Sequence, residues 1–364
     1  MKRSLLVVLV LVLAVGFAFS NGLAEDYQAY SEKLAKADES SLTYWYGDSY
    51  AKNMLVEFMQ AITDKNSPDY IPVECRIAVF DFDGTLFCET DLDYFDHLLL
   101  AYRVLEDAEY RDLASDFEKE VARKIVTQSQ TSSPVGGLDM DHGIALSSAF
   151  KGMTPEEFDA YVQGFKQTSM PHYTGMNRGD GFYLPMLQVI EYLQANDFLV
   201  YIVSGSDRFM VRAIINGSPV DLPPRQIIGS DMRTMATNQG EEEGLKYTFA
   251  SSDEVLLSGD FVIKNLKMNK VSVIVQEIGQ QPVLSFGNST GDAAMANYVI
   301  TDNQYRSLAF MLCCDDTERE NGNAAKASRM RALCMEKGWI PISMKDDWKT
   351  IYGNGVSKKP PSPQ

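Results

Sequence analysis

The sequence predicts an α/β protein, with a doubly wound parallel sheet and a mostly helical cap inserted after its first strand. Two observations lead there. Short apolar runs rich in β-branched residues alternate with helix-like segments across the second half of the chain. The first such run, Arg76-Ile77-Ala78-Val79-Phe80, is separated from the second, Phe198 to Val203, by far more residues than a crossover connection needs.

The 364 residues are 45% hydrophobic and 23% charged, an ordinary globular balance. A net charge of −17 argues against wrapping nucleic acid or anionic lipid, though a local site can still oppose the global field. Lys2 and Arg3 precede an apolar run from Leu5 to Phe19. That run falls short of the roughly 20 residues of a membrane span and matches a secretory signal. Residues 1–20 are therefore expected to be cleaved, before Asn21 or after Ala24, leaving a secreted or periplasmic protein without a membrane span. Five cysteines (Cys75, Cys88, Cys313, Cys314 and Cys334) leave room for one bridge in an oxidising compartment, with Cys334 pairing Cys313 or Cys314 as one possibility.

Along the chain, Ala51 to Ile62 reads as a helix, and prolines at 68 and 72 break the chain before the first strand. Helices are expected at Tyr94 to Glu106 and Tyr110 to Lys124. A loop follows around residues 132–137. Thr154-Pro155-Glu156-Glu157 then looks like an N-cap opening a helix that runs to about Gln167. Leu184 to Ala195 reads as a helix, Phe198 to Val203 as a buried strand, Asp207 to Ile215 as a helix and Gln226 to Ile228 as a strand. Residues 231–263 are mixed, with Met232–Thr237, Lys246–Ala250 and Glu254–Leu257 as a small β excursion. Val271 to Ile278 (helix), Pro282 to Phe286 (strand), Leu308 to Cys313 (strand), Asn323 to Lys337 (helix) and Trp339 to Ser343 (strand) complete the pattern. The expected organisation is a core of residues 21–87 and 183–352, a helical cap of 88–182 and a disordered tail of 353–364.

In open α/β sheets the site lies beyond the carboxyl ends of the strands. The first strand delivers Asp81 and Asp83 there, the second Ser204 and Gly205, and the strand at 282–286 delivers Asn288 and Asp292. Lys270 opens the helix before that last strand and is preferred over Lys264 and Lys267. Two carboxylates, a hydroxyl, an ammonium and an amide/acid pair on one edge suit phosphoryl transfer. A carboxylate attacks phosphorus, Mg2+ neutralises the oxygens, and Ser and Lys hold the transferring group.

In their order, "DFDGT" at 81–85, "VSGS" at 203–206, Lys270 and "GNSTGD" at 287–292 resemble the motifs of the haloacid dehalogenase (HAD) superfamily of phosphohydrolases, over roughly residues 70–350. "RIAVFDFDGTL", "IGQQPVLSFGNSTGD" and "MKDDWKTIY" are similar to an exported branch of it. The resemblance implies a Rossmann-like core with Asp81 as the nucleophile that forms an aspartyl-phosphate and Asp83 as general acid/base. It further implies phosphate contacts from Thr85, Ser204, Gly205 and Lys270, with Asp81, Asp83, Asn288 and Asp292 around Mg2+. The substrate class is a small phosphomonoester. Asn288 stands where the family often has Asp, which brings no negative charge to the metal and is the one feature favouring a weakly catalytic phosphate-binding protein. A dehalogenase is a further alternative, against which Asp83 and the metal set speak. The insertion would be the cap that closes over the site and selects the leaving group. Glu89 either faces that interface and meets a substrate cation or is a solvated turn acid. Phe87, Tyr94, Phe95, Tyr102, Tyr173, Phe182 and Tyr183 flank the junction as cap core, or, if several line the pocket, as a cation–π site for a quaternary ammonium.

Overall fold

The computed structural model describes residues 40, 42–91, 93–131 and 135–360, so the signal-peptide expectation lies outside the described residues. Strand β1 (Ile77–Phe80) is buried along its whole length, as its unbroken apolar run demands. It is flanked by β3 (Leu199–Asp207) and β6 (Leu284–Gly287), both parallel to it. Beyond them lie β4 (Ile227–Ala236) and β5 (Val255–Ile263) on one side, and β7 (Leu308–Cys313) and β8 (Ile340–Ser343) on the other. The order β5-β4-β3-β1-β6-β7-β8 reverses direction at β1, which is the doubly wound arrangement expected. Phe80, Phe286 and Phe310 stack across β1, β6 and β7 with ring centroids 4.3 and 4.9 Å apart, giving the sheet centre a continuous aromatic layer.

Helices α1 (Tyr50–Thr63), α6 (Leu184–Ala195), α7 (Arg208–Ile215), α8 (Met268–Val273), α9 (Ala293–Ile300) and α10 (Ala324–Lys337) belong to the sheet. Between β1 and α6 stand α2 (Phe95–Leu105), α3 (Asp116–Thr131), α4 (Leu138–Ala149) and α5 (Pro155–Lys166). Thr154 and Glu157 form a reciprocal capping box that starts α5, with Pro155 in its first turn. These helices do not stand apart from the core, since α4 packs on β5 and α5 on α7. Gly143 permits the first contact, because a Cβ there would lie 2.5 Å from the Phe261 ring. Arg103 of α2 is buried, donates from Nε to the Ala149 carbonyl at 3.0 Å and from Nη1 to Asp107 at 3.1 Å, and lies over the rings of Tyr110, Phe150 and Tyr161. It fastens α2 to the end of α4.

Several expected elements shift for physical reasons. The sheet is parallel except at β5, which runs antiparallel to β4. Lys246–Ala250 is a turn rather than a strand. The helix expected from Tyr110 begins at Asp116, because Ser115 and Glu118 form their own capping pair: Ser115 N donates to Glu118 Oε2 at 2.7 Å and Glu118 N to Ser115 Oγ at 3.2 Å. The chain before it turns on Asp107, which accepts from Glu109 N. Two helices were not anticipated. In α4, Gly143 and several polar, poor helix-formers blur the periodicity, and α9 is apolar nearly all round. The five cysteines are all free thiols, so no bridge joins Cys334 to Cys313 or Cys314. The tail, expected to be disordered from residue 353, is pinned where β9 (Ser357–Lys358) pairs antiparallel with β2 (Tyr173–Thr174).

That pairing adjoins a buried acid. Glu320 is fully buried and accepts from the hydroxyls of Tyr173 (2.8 Å), Thr90 and Tyr352. Stranding those hydroxyls in the interior costs roughly 1–3 kcal/mol for each. Glu320→Ala should therefore lower unfolding free energy by at least about 3 kcal/mol in urea titrations. A change below 1 kcal/mol would mean that water replaces the carboxylate.

Candidate active site

Asp81 follows β1, and its N–H extends the parallel ladder by donating to the Phe286 carbonyl at 2.8 Å. The chain then turns sharply on Gly84, whose φ is +71°. A side chain there would also collide with Asn288, whose Nδ2 would be 1.8 Å from a Cβ, and with Glu89. Only glycine lets this loop lie against the β6 loop, and that approach brings Asp81, Asp83 and Asn288 to one place.

Lys270 is wholly buried in α8, with its ammonium 2.5 Å from Asp81 Oδ1 and 2.7 Å from Asp292 Oδ1. Asp292 Oδ2 in turn accepts from Asn288 N, Ser289 N and Ser289 Oγ at 3.0–3.1 Å. Asp83 Oδ2 accepts from Ser206 Oγ at 2.6 Å, while its Oδ1 is buried with no partner. Asp81, Asp83, Glu89, Asn288 and Asp292 line a cavity of about 90 Å³. A cavity of about 940 Å³ opens elsewhere, between α5 and α7, and contains none of the residues at the carboxyl ends of β1 and β6. Chemistry, not size, marks the site.

A family model described as haloacid dehalogenase-like hydrolase matches residues 78–297, well over half of the chain. The chain belongs to that family. No curated protein matches it. Among solved structures it is similar to a conserved functionally unknown protein from Anaerococcus prevotii DSM 20548, at 16% identity over 80% of this chain and 91% of that one, with a TM-score of 0.49. It is also similar to cytosolic 5'-nucleotidase IIIB bound to cytidine, at 11% identity over 81% and 86%, TM-score 0.47. A third is a phosphoserine phosphohydrolase-like protein from Francisella tularensis subsp. tularensis SCHU S4, at 13% over 70% and 92%, TM-score 0.37.

In this HAD hydrolase, the residues singled out from sequence do not all face the cavity. Lys270, Ser204 and Thr85 lie beneath its floor, all wholly buried. Ser204 Oγ accepts from Ser206 N at 3.0 Å, and Thr85 Oγ1 lies 3.4 Å from Asp81 Oδ2, so Thr85 faces Asp81 rather than the open space. Gly205 and Ser206 form the wall instead. β3 runs on past Ser206 to Asp207, whose side chain caps α7 by accepting from Met210 N. Glu89 is no solvated turn acid: its side chain is 8% exposed, lines the cavity and lies 3.3 Å from Lys326 Nζ. Of the aromatics at the junction, Tyr94 alone lines the cavity. Phe87 stacks on Phe82 and meets Phe95 and Phe182 edge-on, and Tyr173 and Tyr183 pack on Tyr352, so these rings form no cage for a quaternary ammonium.

Ser206, Lys264, Asp96 and His97 also line the site and were not assigned to it from sequence. The acid-rich run "ETDLDYFDH", directly after the first motif, carried a signal for the last two.

Burial, with Asp292 close by, pushes the Asp81 carboxyl up to about 7 despite Lys270. Burial and then Asp96 hold Asp83 well above the ordinary carboxylate range, against the pull of Ser206. Lys270 loses solvation, yet Asp292 and Asp81 outweigh that loss and raise it. Asp207, at the neighbouring strand end, is pushed by burial up to about 7.

The Asp207 shift has a definite sign. Between about pH 4 and 7 the unfolded chain releases this proton while the folded one keeps it, so its contribution to stability falls as pH rises and levels off above 7. Asp207→Asn keeps the capping oxygen and removes the titration. The variant's stability advantage should grow from near zero at pH 4 to as much as about 4 kcal/mol above pH 7, measured by urea unfolding at each pH. A gap that stays constant across that range would show that Asp207 titrates at its ordinary value.

Proposed function

We propose that this hydrolase is a Mg2+-dependent phosphomonoesterase, acting through an aspartyl-phosphate on Asp81 upon a small phosphorylated metabolite, and that it works outside the cytoplasm after losing its leader. The observation that carries this reading is the asymmetry of the two acids on one cavity. Asp81 is held by Lys270, whereas burial draws Asp83 toward its protonated form and Ser206 binds it.

In the reading's chemistry, an Asp81 oxygen attacks phosphorus and the bond to the leaving oxygen breaks. The departing alkoxide takes the proton of Asp83. Asp83 then removes a proton from water as that water attacks the phosphoryl group on Asp81, releasing phosphate and restoring both carboxyls. Lys270 fixes the orientation of Asp81 and Asp292 from below, and Gly205 and Ser206 border the space where phosphate oxygens would sit.

The donor set fits a hard divalent cation. Asp83 Oδ1 is buried without a partner, and Asp81 is driven toward protonation, the wrong state for a nucleophile. Asp81, the backbone carbonyl of Asp83, Asn288 and Asp292 would hold Mg2+, an all-oxygen set. When bound, Mg2+ supplies positive charge that keeps Asp81 ionised and offsets charge on the phosphoryl oxygens.

Phosphate release from phosphomonoesters should require Mg2+, vanish with EDTA and vanish in Asp81→Asn with the fold retained. Wild-type turnover by that variant would end the nucleophile assignment. Ser206→Ala should lower kcat by roughly 10–100-fold with KM nearly unchanged, because Ser206 positions the acid and not the substrate. Asn288→Asp should tighten Mg2+ on the order of tenfold by adding a charged ligand; an unchanged Mg2+ midpoint would place Asn288 away from the ion.

A further inference from the structure

Across the cavity from Asp81, helices α2 and α4 bring together Asp96, His97 and His142. All three are buried, and one potential ligand atom from each lies within 4.8 Å of the others. His142 Nδ1 is 3.9 Å from Asp96 Oδ2, and the two imidazole rings are 4.5 Å apart. His142 is 1% exposed, and neither of its ring nitrogens has a hydrogen-bond partner. A neutral imidazole carries one N–H and one lone pair. Leaving both unmet in an interior is destabilising and needs an explanation.

We propose that Asp96, His97 and His142 form a second cation site, separate from the carboxylates around Asp81, that takes a borderline divalent ion of the zinc type. Two imidazoles and a carboxylate are a zinc donor set, whereas magnesium and calcium select oxygen. His97 Nδ1 lies 3.0 Å from Asp93 Oδ1 but out of line for a hydrogen bond, so that ring nitrogen is unmet too, and Gln128 holds Asp93 from the other side at 3.1 Å. Asp96 Oδ1 is already used by His97 N at 2.8 Å, and Oδ2 is the oxygen facing His142. Ligand atoms of tetrahedral zinc sit roughly 3.3–3.5 Å apart, a spacing that small side-chain rotations reach from the present one. Lys264 shares this wall, and Asp93 and Asp139 outnumber it in charge.

Asp96 and His97 line the catalytic cavity, so a fourth coordination position would open into it. The ion would pin α2 to α4 and present a Lewis-acidic face to the leaving group of whatever occupies the site. This assignment does not depend on the phosphatase reading.

The test uses the whole protein, stripped by chelator, with Co2+ or Zn2+ alone as the probe. Wild type should bind one Co2+ that Mg2+ does not displace, with the strong visible bands of a four-coordinate nitrogen–oxygen site, and Zn2+ should displace it and raise Tm. Asp81→Asn should keep all of this. His97→Ala and His142→Gln should weaken Zn2+ binding at least 100-fold and lose the Tm rise. Absence of such an ion in wild type, loss of it in Asp81→Asn, or wild-type binding by the histidine variants would overturn the proposal. If His142→Gln does not fold, His97→Ala and Asp96→Asn decide the matter by the same readouts.

Discussion

Lys270 brings one ammonium to a point where the carboxyl ends of β1 and β6 meet, shut off from bulk solvent. A lysine buried like this is tolerable only if paired, and its pairs, Asp81 and Asp292, come from the loops after those two strands. The strands are neighbours in parallel register, Phe80 opposite Phe286, so the sheet itself fixes how far apart the two carboxylates stand. The same arrangement organises the loop after β6, because the other oxygen of Asp292 gathers the N–H groups of Asn288 and Ser289. Remove the ammonium and two buried acids face each other uncompensated.

One ammonium is not enough for the acids present. Glu89 and Asp96 add negative charge around the same small space, and burial raises Asp81 and Asp83. The result is a physical division between two carboxyls of the same residue type. Asp81 touches the cation, while Asp83 touches a hydroxyl donor and keeps a lone oxygen toward the cavity. Environments that push two acids apart are what acid–base chemistry on one fold requires.

Much of this was legible in the chain. An apolar strand ending in Asp81 and Asp83, and a helix-to-strand passage carrying Lys270 before Asn288 and Asp292, locate the edge of the sheet because strand ends are set by local pattern. Ser206 was not legible. Its role depends on β3 running past the turn that Ser204-Gly205 suggests, a tertiary override of local turn chemistry. Thr85 and Ser204 were expected at the surface of the site, but motif order says nothing about depth, and both lie under the floor. His97 and His142 are far apart in sequence, and what joins them is the packing of α2 on α4, which no periodicity encodes.

The cavity, at about 90 Å³, is walled jointly: Asp96, His97 and Asp139 come from the inserted helices, and Asp81 and Asp292 from the strand ends. The inserted helices are not free to swing. Their first connection is held at Thr90 and their last near Tyr173, both bound to the same buried Glu320 of the core. Breaking those bonds would strand several hydroxyls at once, a cost far above that of sliding apolar contacts. The insertion is tied to β5 as well, where Gly152 N donates to the Leu257 carbonyl and Leu257 N to the Met153 carbonyl, each at 2.8 Å. Both ties hold Asp96 and His97 beside Lys264 in the cavity wall, while Asp81, Lys270 and Asp292 are fixed to the sheet.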